Sequence, residues 1–214
     1  GLAETLTPKF PLGCRRILLS DDYYPALQRD NVTLETWPIE RLDSNSLVTD
    51  DGVHHYVDCL VAATGFHSHD FLPGVEVTGL RNADLHKEWE NKGGPEAYLG
   101  ITVSGFPNLF FLYGPNTNLG HSSIIFMIEC QVHYILKVIG LLNMKGGKTI
   151  EITHNSMDEF NQAIQKKLKR TAWAGSCNSW YKSARGKIIN NWSTHTVGYW
   201  LRTRRPIADH YLVK

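Results

Sequence analysis

Apolar residues recur at three- and four-residue spacing through Ile125, Ile128, Val132, Ile135, Leu136, Ile139 and Leu142, and the run stops at Gly146-Gly147. That period lines one helical face, and Ser122 and Ser123 are good N-cap residues, so a long helix is predicted from near residue 122 to the glycine pair. At roughly 20 residues it has the length of a membrane span. Glu129, Gln131, His133 and Lys137 interrupt it, however, and the expectation is a buried helix with no span. A strand over 149–153 and a helix over 156–170 follow, with Ser156-x-x-Glu159 as a capping box. Upstream the pattern breaks into short strand-like pieces. Residues 32–34, 39–42, 47–49 and 56–62 read as strands divided by Asp43-Ser-Asn45 and Asp50-Asp-Gly52, which gives a small antiparallel meander. Residues 57–62 are apolar on both faces, as a strand covered on both sides requires, and they run into Ala63-Thr64-Gly65-Phe66. Gly65, lacking a Cβ, lets the backbone turn sharply and approach a ligand. The segment reads either as the floor of a nucleotide site or simply as the end of a buried strand. Residues 106–112 form a second predicted strand, opened by Pro107-Asn108 and closed by Gly114-Pro115, after a loop-rich stretch with an amphipathic piece at 85–89.

Composition narrows the class without naming a function. The 214 residues carry a formal net charge of +1 with both signs interspersed, so no broad field points to nucleic acid or a membrane surface. The basic run Lys166-Lys167-Leu168-Lys169-Arg170 reads as a solvated helix face. Residues 1–20 lack a signal-peptide layout, and a cytoplasmic protein is expected. Cys14, Cys59, Cys130 and Cys177 form no Cys-x-x-Cys pair, which argues against a redox dithiol and a structural zinc site and reads as four reduced thiols. His67-x-His69 lacks further ligands in order, and no metal site is expected.

Three segments together carry a resemblance: Ala63-Thr64-Gly65-Phe66, then Gly105-Phe-Pro-Asn-Leu-Phe-Phe-Leu-Tyr-Gly-Pro115, then a helix bearing Glu129 and Gln131. This resembles the C-terminal part of class B flavoprotein monooxygenases, the flavin-containing and Baeyer–Villiger enzymes, from about residue 6 to about residue 205. The resemblance implies an α/β fold, part of a two-dinucleotide-binding-domain flavoprotein, with an antiparallel β-meander, an FAD-domain strand and a long buried helix. It implies that residues 1–65 end the NADPH-binding domain and include the meander, and that residues 66–214 belong to the FAD-binding domain. The family's Gly-rich FAD turn has no counterpart here, so the chain is expected neither to hold FAD by itself nor to be active alone.

The same resemblance assigns residues. The loop Asn116-Thr-Asn-Leu-Gly-His-Ser-Ser123 delivers the chain to a helix N-terminus, whose amides and dipole suit negative charge. Gly114, Pro115, Ser123 and Ile124 would line FAD, chiefly through main chain; capping of a core helix is the plainer reading of the serines. His121 lies in the same loop with no assigned role. In Gly13-Cys-Arg-Arg16, Arg16 matches the arginine that stabilises the peroxyflavin anion and Arg15 the residue that helps bind the NADPH 2′-phosphate, where the family more often has Lys. Thr64 and Gly65 would lie near cofactor, and Trp180 in Asn178-Ser-Trp-Tyr181 would reach the nicotinamide ribose; without the resemblance Trp180 reads as a half-buried tryptophan. The implied activity uses NADPH, FAD and O2 to insert one oxygen into a ketone through a C4a-peroxyflavin. Heteroatom oxygenation, a flavoprotein reductase and a non-enzymatic fragment stay open, and self-association of the truncated chain is a further expectation.

Overall fold

A computed structural model describes residues 1–120, 122–176 and 179–214. In chain order the elements are α1 (Leu2–Leu6), α2 (Tyr23–Ala26), β1 (Ile39–Leu42), β2 (Ser46–Thr49), β3 (His54–Tyr56), α3 (Leu85–Asn91), α4 (Ile124–Met144), β4 (Ile150–Ile152), α5 (His154–Leu168), α6 (Thr196–Thr203) and β5 (Tyr211–Val213). The class is mixed α/β, with a small antiparallel sheet and one long helix, as the sequence implies. Contacts divide the chain into two units, one of Gly1–Ile17 with His67–Lys214 and one of Leu18–Phe66.

The smaller unit is the meander. β2 pairs antiparallel with β1 (Ile39 opposite Thr49, with a register shift before Arg41) and with β3 (Ser46 opposite Tyr56). Its second turn is built by side chains: the Asp51 carboxylate accepts from Thr49 Oγ1 at 2.6 Å and from the Val53 N–H at 3.2 Å, and Gly52 takes the left-handed φ of 83°. Residues 32–34 are not a strand; the Glu35 carboxylate instead takes the following Thr36 and Trp37 amides. The larger departure is at 57–66. The last ladder contact is the Val57 N–H to Asn45 O at 3.4 Å, and beyond it the segment is extended but unpaired and open, with Val61 81% and Phe66 100% exposed. An apolar run becomes a buried strand only when neighbouring strands take its amides and other layers cover its faces. Among the described residues nothing does so.

The larger unit holds the core. α4 contributes Met127, Cys130, Tyr134, Val138 and Leu141, and α5 contributes Met157, Phe160, Ile164 and Leu168. β4 and β5 pair antiparallel beside them (Ile150 opposite Val213), and Leu85 and Trp89 of α3 close one side. Ser123 caps α4, its Oγ accepting from the Phe126 N–H at 3.2 Å, so the predicted N-terminus holds. For α5 the cap is Thr153 rather than Ser156: Thr153 Oγ1 accepts from the Ser156 N–H at 3.3 Å because β4 leads directly into the helix. α4 is long and apolar enough to cross a membrane by length and composition. One face is nonetheless core, with the fully buried Gln131 hydrogen-bonded there, while Ile125 and Leu136 on the other are exposed. Residues 106–112 follow an irregular path without a strand ladder although Phe106 and Phe111 are core: the Asn108 and Phe111 amides donate singly to Ile150 O and Ile101 O, from two different segments. Cys14 is buried and disulfide-bonded, which overturns the reading of four reduced thiols; spacing along a chain does not say which sulfurs meet in space. Cys59 and Cys130 are free.

Candidate functional site

The loop that enters α4 is shaped by backbone crowding. A Cβ on Gly114 would lie 2.3 Å from the Gly100 carbonyl oxygen, so two chain segments cross here at a distance that only glycine permits. On either side Tyr113 (φ 57°) and Asn116 (φ 59°) adopt the left-handed conformation, uncommon for any residue with a side chain and most of all for a bulky one. Hydrogen bonds hold the turn there. The Tyr113 N–H donates to Gln131 Oε1 at 2.9 Å, and Asn116 Nδ2 donates to the carbonyls of Ile188 and Asn191.

Residues 116–118 run beside 188–192 and are stitched to them. The Asn116 N–H donates to Ile189 O, the Asn118 N–H to Asn190 O, and the Trp192 N–H back to Asn118 O. Side chains extend the bridge: Asn118 Nδ2 donates to Asn191 Oδ1 at 3.0 Å, its Oδ1 accepts from Tyr113 Oη at 2.9 Å, and Asn190 Nδ2 donates to Trp180 O at 2.6 Å. A cavity of about 330 Å³ lies over this bridge, with Tyr113, Gly114, Asn118, Trp180, Asn190 and Phe71 among its walls. Trp180 is 37% exposed and its ring centroid lies 4.4 Å from that of Tyr181.

Arg16 adds the charge. Burial pushes the phenols of Tyr113 and Tyr181 up, and the Arg16 guanidinium opposes that shift at both, so it stands within electrostatic reach of Tyr113 in the cavity wall and of Tyr181 against Trp180. The Tyr113 phenol stays protonated at neutral pH and donates to Asn118. Arg15 turns elsewhere: its guanidinium carbon lies 4.6 Å over the Phe10 ring. At the far end of the loop Ser123 spends its hydroxyl on capping Phe126, while the first-turn amides of Ile124 and Ile125 have no intrahelical acceptor, by helix geometry. The cavity itself offers the aromatic faces of Trp180 and Phe71 beside the polar side chains of Asn118 and Asn190, which suits a flat ligand with polar edges.

No protein-family model matches the chain. A Baeyer-Villiger monooxygenase of Pseudomonas aeruginosa is 39% identical over 98% of this chain and 40% of its own length. An FAD-binding monooxygenase of Aspergillus niger is 43% identical over 92% of the chain and 33% of its own length. Among solved structures, an oxidized steroid monooxygenase bound to NADP superposes with a TM-score of 0.86 at 28% identity, covering 99% of this chain and 41% of that one. The chain is homologous to part of the Baeyer–Villiger monooxygenases. OTEMO in complex with FAD and NADP agrees, at a TM-score of 0.84 and 26% identity, covering 100% of this chain and 41% of that one. The chain thus spans 33–41% of the length of these relatives.

Against this monooxygenase frame, the residues singled out from sequence fall into three groups. Gly114 and Trp180 share one cavity, with Arg16 in electrostatic reach of Tyr113 in its wall and with Pro115 buried next to Gly114. Ser123 and Ile124 form the start of α4, and Arg15 is an exposed residue stacked on Phe10. Thr64 and Gly65 belong to the other unit, where both are exposed and Gly65 has the left-handed φ of 87°. His121, Cys177 and Asn178 lie outside the described residues. Sequence reasoning passed over Tyr113, Asn118 and Asn190, although Tyr113 stands in a stretch that carried the resemblance and Asn118 in the loop that follows it. The available signal was the pairing of Asn116-x-Asn118 with Asn190-Asn191, since asparagines in loops bridge backbones.

Proposed function

We propose that the chain is the C-terminal part of an FAD- and NADPH-dependent monooxygenase that inserts one atom of O2 into a ketone. The kinship with a Baeyer-Villiger monooxygenase, 39% identical over 98% of the chain, together with the cavity walled by Tyr113, Gly114 and Trp180, supports this reading. Bound flavin, reduced by NADPH, supplies the activation of O2. Arg16 meets the negative charge that develops in such a reaction; a guanidinium does so without yielding a proton, which an ammonium yields more easily. Trp180 offers a flat apolar face to a cofactor ring or ribose, Gly114, Pro115 and the α4 amides of Ser123 and Ile124 give main-chain contacts to the flavin, and Arg15 serves the NADPH phosphate. The sequence contains no Gly-rich dinucleotide turn, so this reading assigns no residue of the chain to the pyrophosphate of FAD.

The test joins residues 1–214 to the remaining part of the Pseudomonas aeruginosa relative and measures NADPH oxidation coupled to ester or lactone formation from ketones. Arg16→Ala should lower kcat on the order of 10²–10³-fold, the effect of removing one preorganised donor to a developing charge. Residues 1–214 alone should remain colourless after incubation with FAD. Stoichiometric yellow protein, or oxygenation of amines and sulfides without ketones, would refute the reading.

A further inference from the structure

Gln131 is fully buried on the core side of α4, and nothing proposed above uses it. Both ends of its amide are nevertheless engaged. Oε1 accepts the Tyr113 N–H at 2.9 Å, and Nε2 donates to Tyr199 Oη at 2.9 Å, which in turn donates to Leu99 O at 2.7 Å. The residue it reaches has a strained backbone and stands in the cavity wall. Tyr113 keeps a φ of 57° immediately before Gly114, and its phenol is tied to Asn118 at 2.9 Å. An isolated tyrosine would leave this conformation, so the bond from its amide and the bond from its hydroxyl hold it from both ends. The held ring stands in the same cavity wall as Trp180 and in the field of Arg16.

We propose that Gln131 is a positioning residue: through the Tyr113 amide it fixes the Tyr113 side of the cavity that Trp180 also lines, the tryptophan read above as meeting the nicotinamide ribose, and so sets the affinity for the nicotinamide dinucleotide. This rests on the functional reading above. A buried amide also contributes to stability, and two substitutions separate the roles. Gln131→Glu keeps an acceptor for the Tyr113 N–H but loses the donor to Tyr199; Gln131→Met loses both. Both leave buried groups unpaired or charged, so both should lower the thermal midpoint.

The experiment uses the joined enzyme described above, titrated with NADP+ by tryptophan fluorescence and assayed for KM(NADPH), kcat and thermal midpoint. Gln131→Met should raise both Kd and KM roughly threefold to tenfold, the range of one hydrogen bond, with kcat within about twofold. Gln131→Glu should bind within about twofold of the parent despite its lower midpoint, because its acceptor still holds Tyr113. Affinity that follows the midpoint in both variants, or that is unchanged in Gln131→Met, overturns the proposal while leaving the functional reading intact. A parent enzyme that binds no NADP+ overturns the functional reading, and this proposal with it.

Discussion

Replacing Lys187 by Met should destabilise the chain more than any surface ion-pair change, and the structure says by how much. Lys187 closes the loop that begins at Trp180. Its ammonium donates to the Glu96 carboxylate, to Lys92 O at 3.0 Å and to Gly94 O at 3.4 Å, with the Lys187 and Glu96 side chains only 13% and 10% exposed. Burial holds the Lys187 ammonium below the usual lysine pKa, even though Glu96 pulls the other way. The pair is therefore costly to bury and contributes little net, but removing one partner strands the other charge in the interior. Loss of the lysine should cost about 3–5 kcal/mol, the range for a broken buried pair. At about 2–4 °C per kcal/mol for a chain of this size, the midpoint falls by roughly 6–20 °C. Lys92→Met is the internal control: its pair with Asp158, at 2.9 Å, has side chains 36% and 29% exposed, and should be worth about 1 kcal/mol or less. Glu96→Leu combined with Lys187→Met removes both charges and should recover most of the loss. Urea and thermal unfolding of residues 1–214, followed by circular dichroism, measure all four proteins. Equal, small losses for Lys187→Met and Lys92→Met, or a double variant no better than Lys187→Met alone, would refute the reasoning.

Two further outcomes follow from buried and capping groups. Tyr199→Phe removes the hydroxyl between Gln131 Nε2 and Leu99 O and leaves both buried groups short of a partner, so urea unfolding should show a loss of about 1–3 kcal/mol with an unchanged m-value. The Asp84 carboxylate caps α3, accepting from the Lys87 and His86 amides at 3.1 and 2.9 Å, and these bonds, the one from Lys87 first, hold its pKa below 3.8. A depressed folded pKa means that the unfolded chain binds the proton first, so the contribution is present above the unfolded value and is lost as pH falls through the folded one. Asp84→Asn keeps a capping oxygen without the titration, and its midpoint should fall less steeply than the parent's as pH drops below the ordinary aspartate value.

What the sequence made legible divides along a physical line. α4 and α5 could be read because a helix satisfies its own backbone, so the three- and four-residue period of one segment is enough to specify it. The meander could be read because its turns are local: Asp51 makes its bonds to Thr49 and Val53 within four residues. Residues 57–66 and 106–112 could not, because a strand is a property of a pair. The apolar side chains of 57–66 specify that something should cover them, but not that the cover lies among the described residues, while Phe106 and Phe111 find their cover in the core without a neighbouring strand to pair with. The candidate site shows the same division. Gly114 and Trp180 stand in recognisable strings, whereas the asparagines joining 116–118 to 190–191 act across more than seventy positions with no period to betray them.

Gln131 is the instructive exception. It sits on the buried stripe of α4 between Met127 and Tyr134, at a spacing where every neighbour on that face is core. A polar amide at a core position is affordable only if both its ends are bonded, since an unpaired buried group costs more than the apolar alternative. Such a residue, found by period alone, already announces two partners and a backbone or side chain that must come to it. Here those partners are Tyr199 and the left-handed Tyr113 amide, which is how a helix that reads as plain core comes to govern the wall of the cavity.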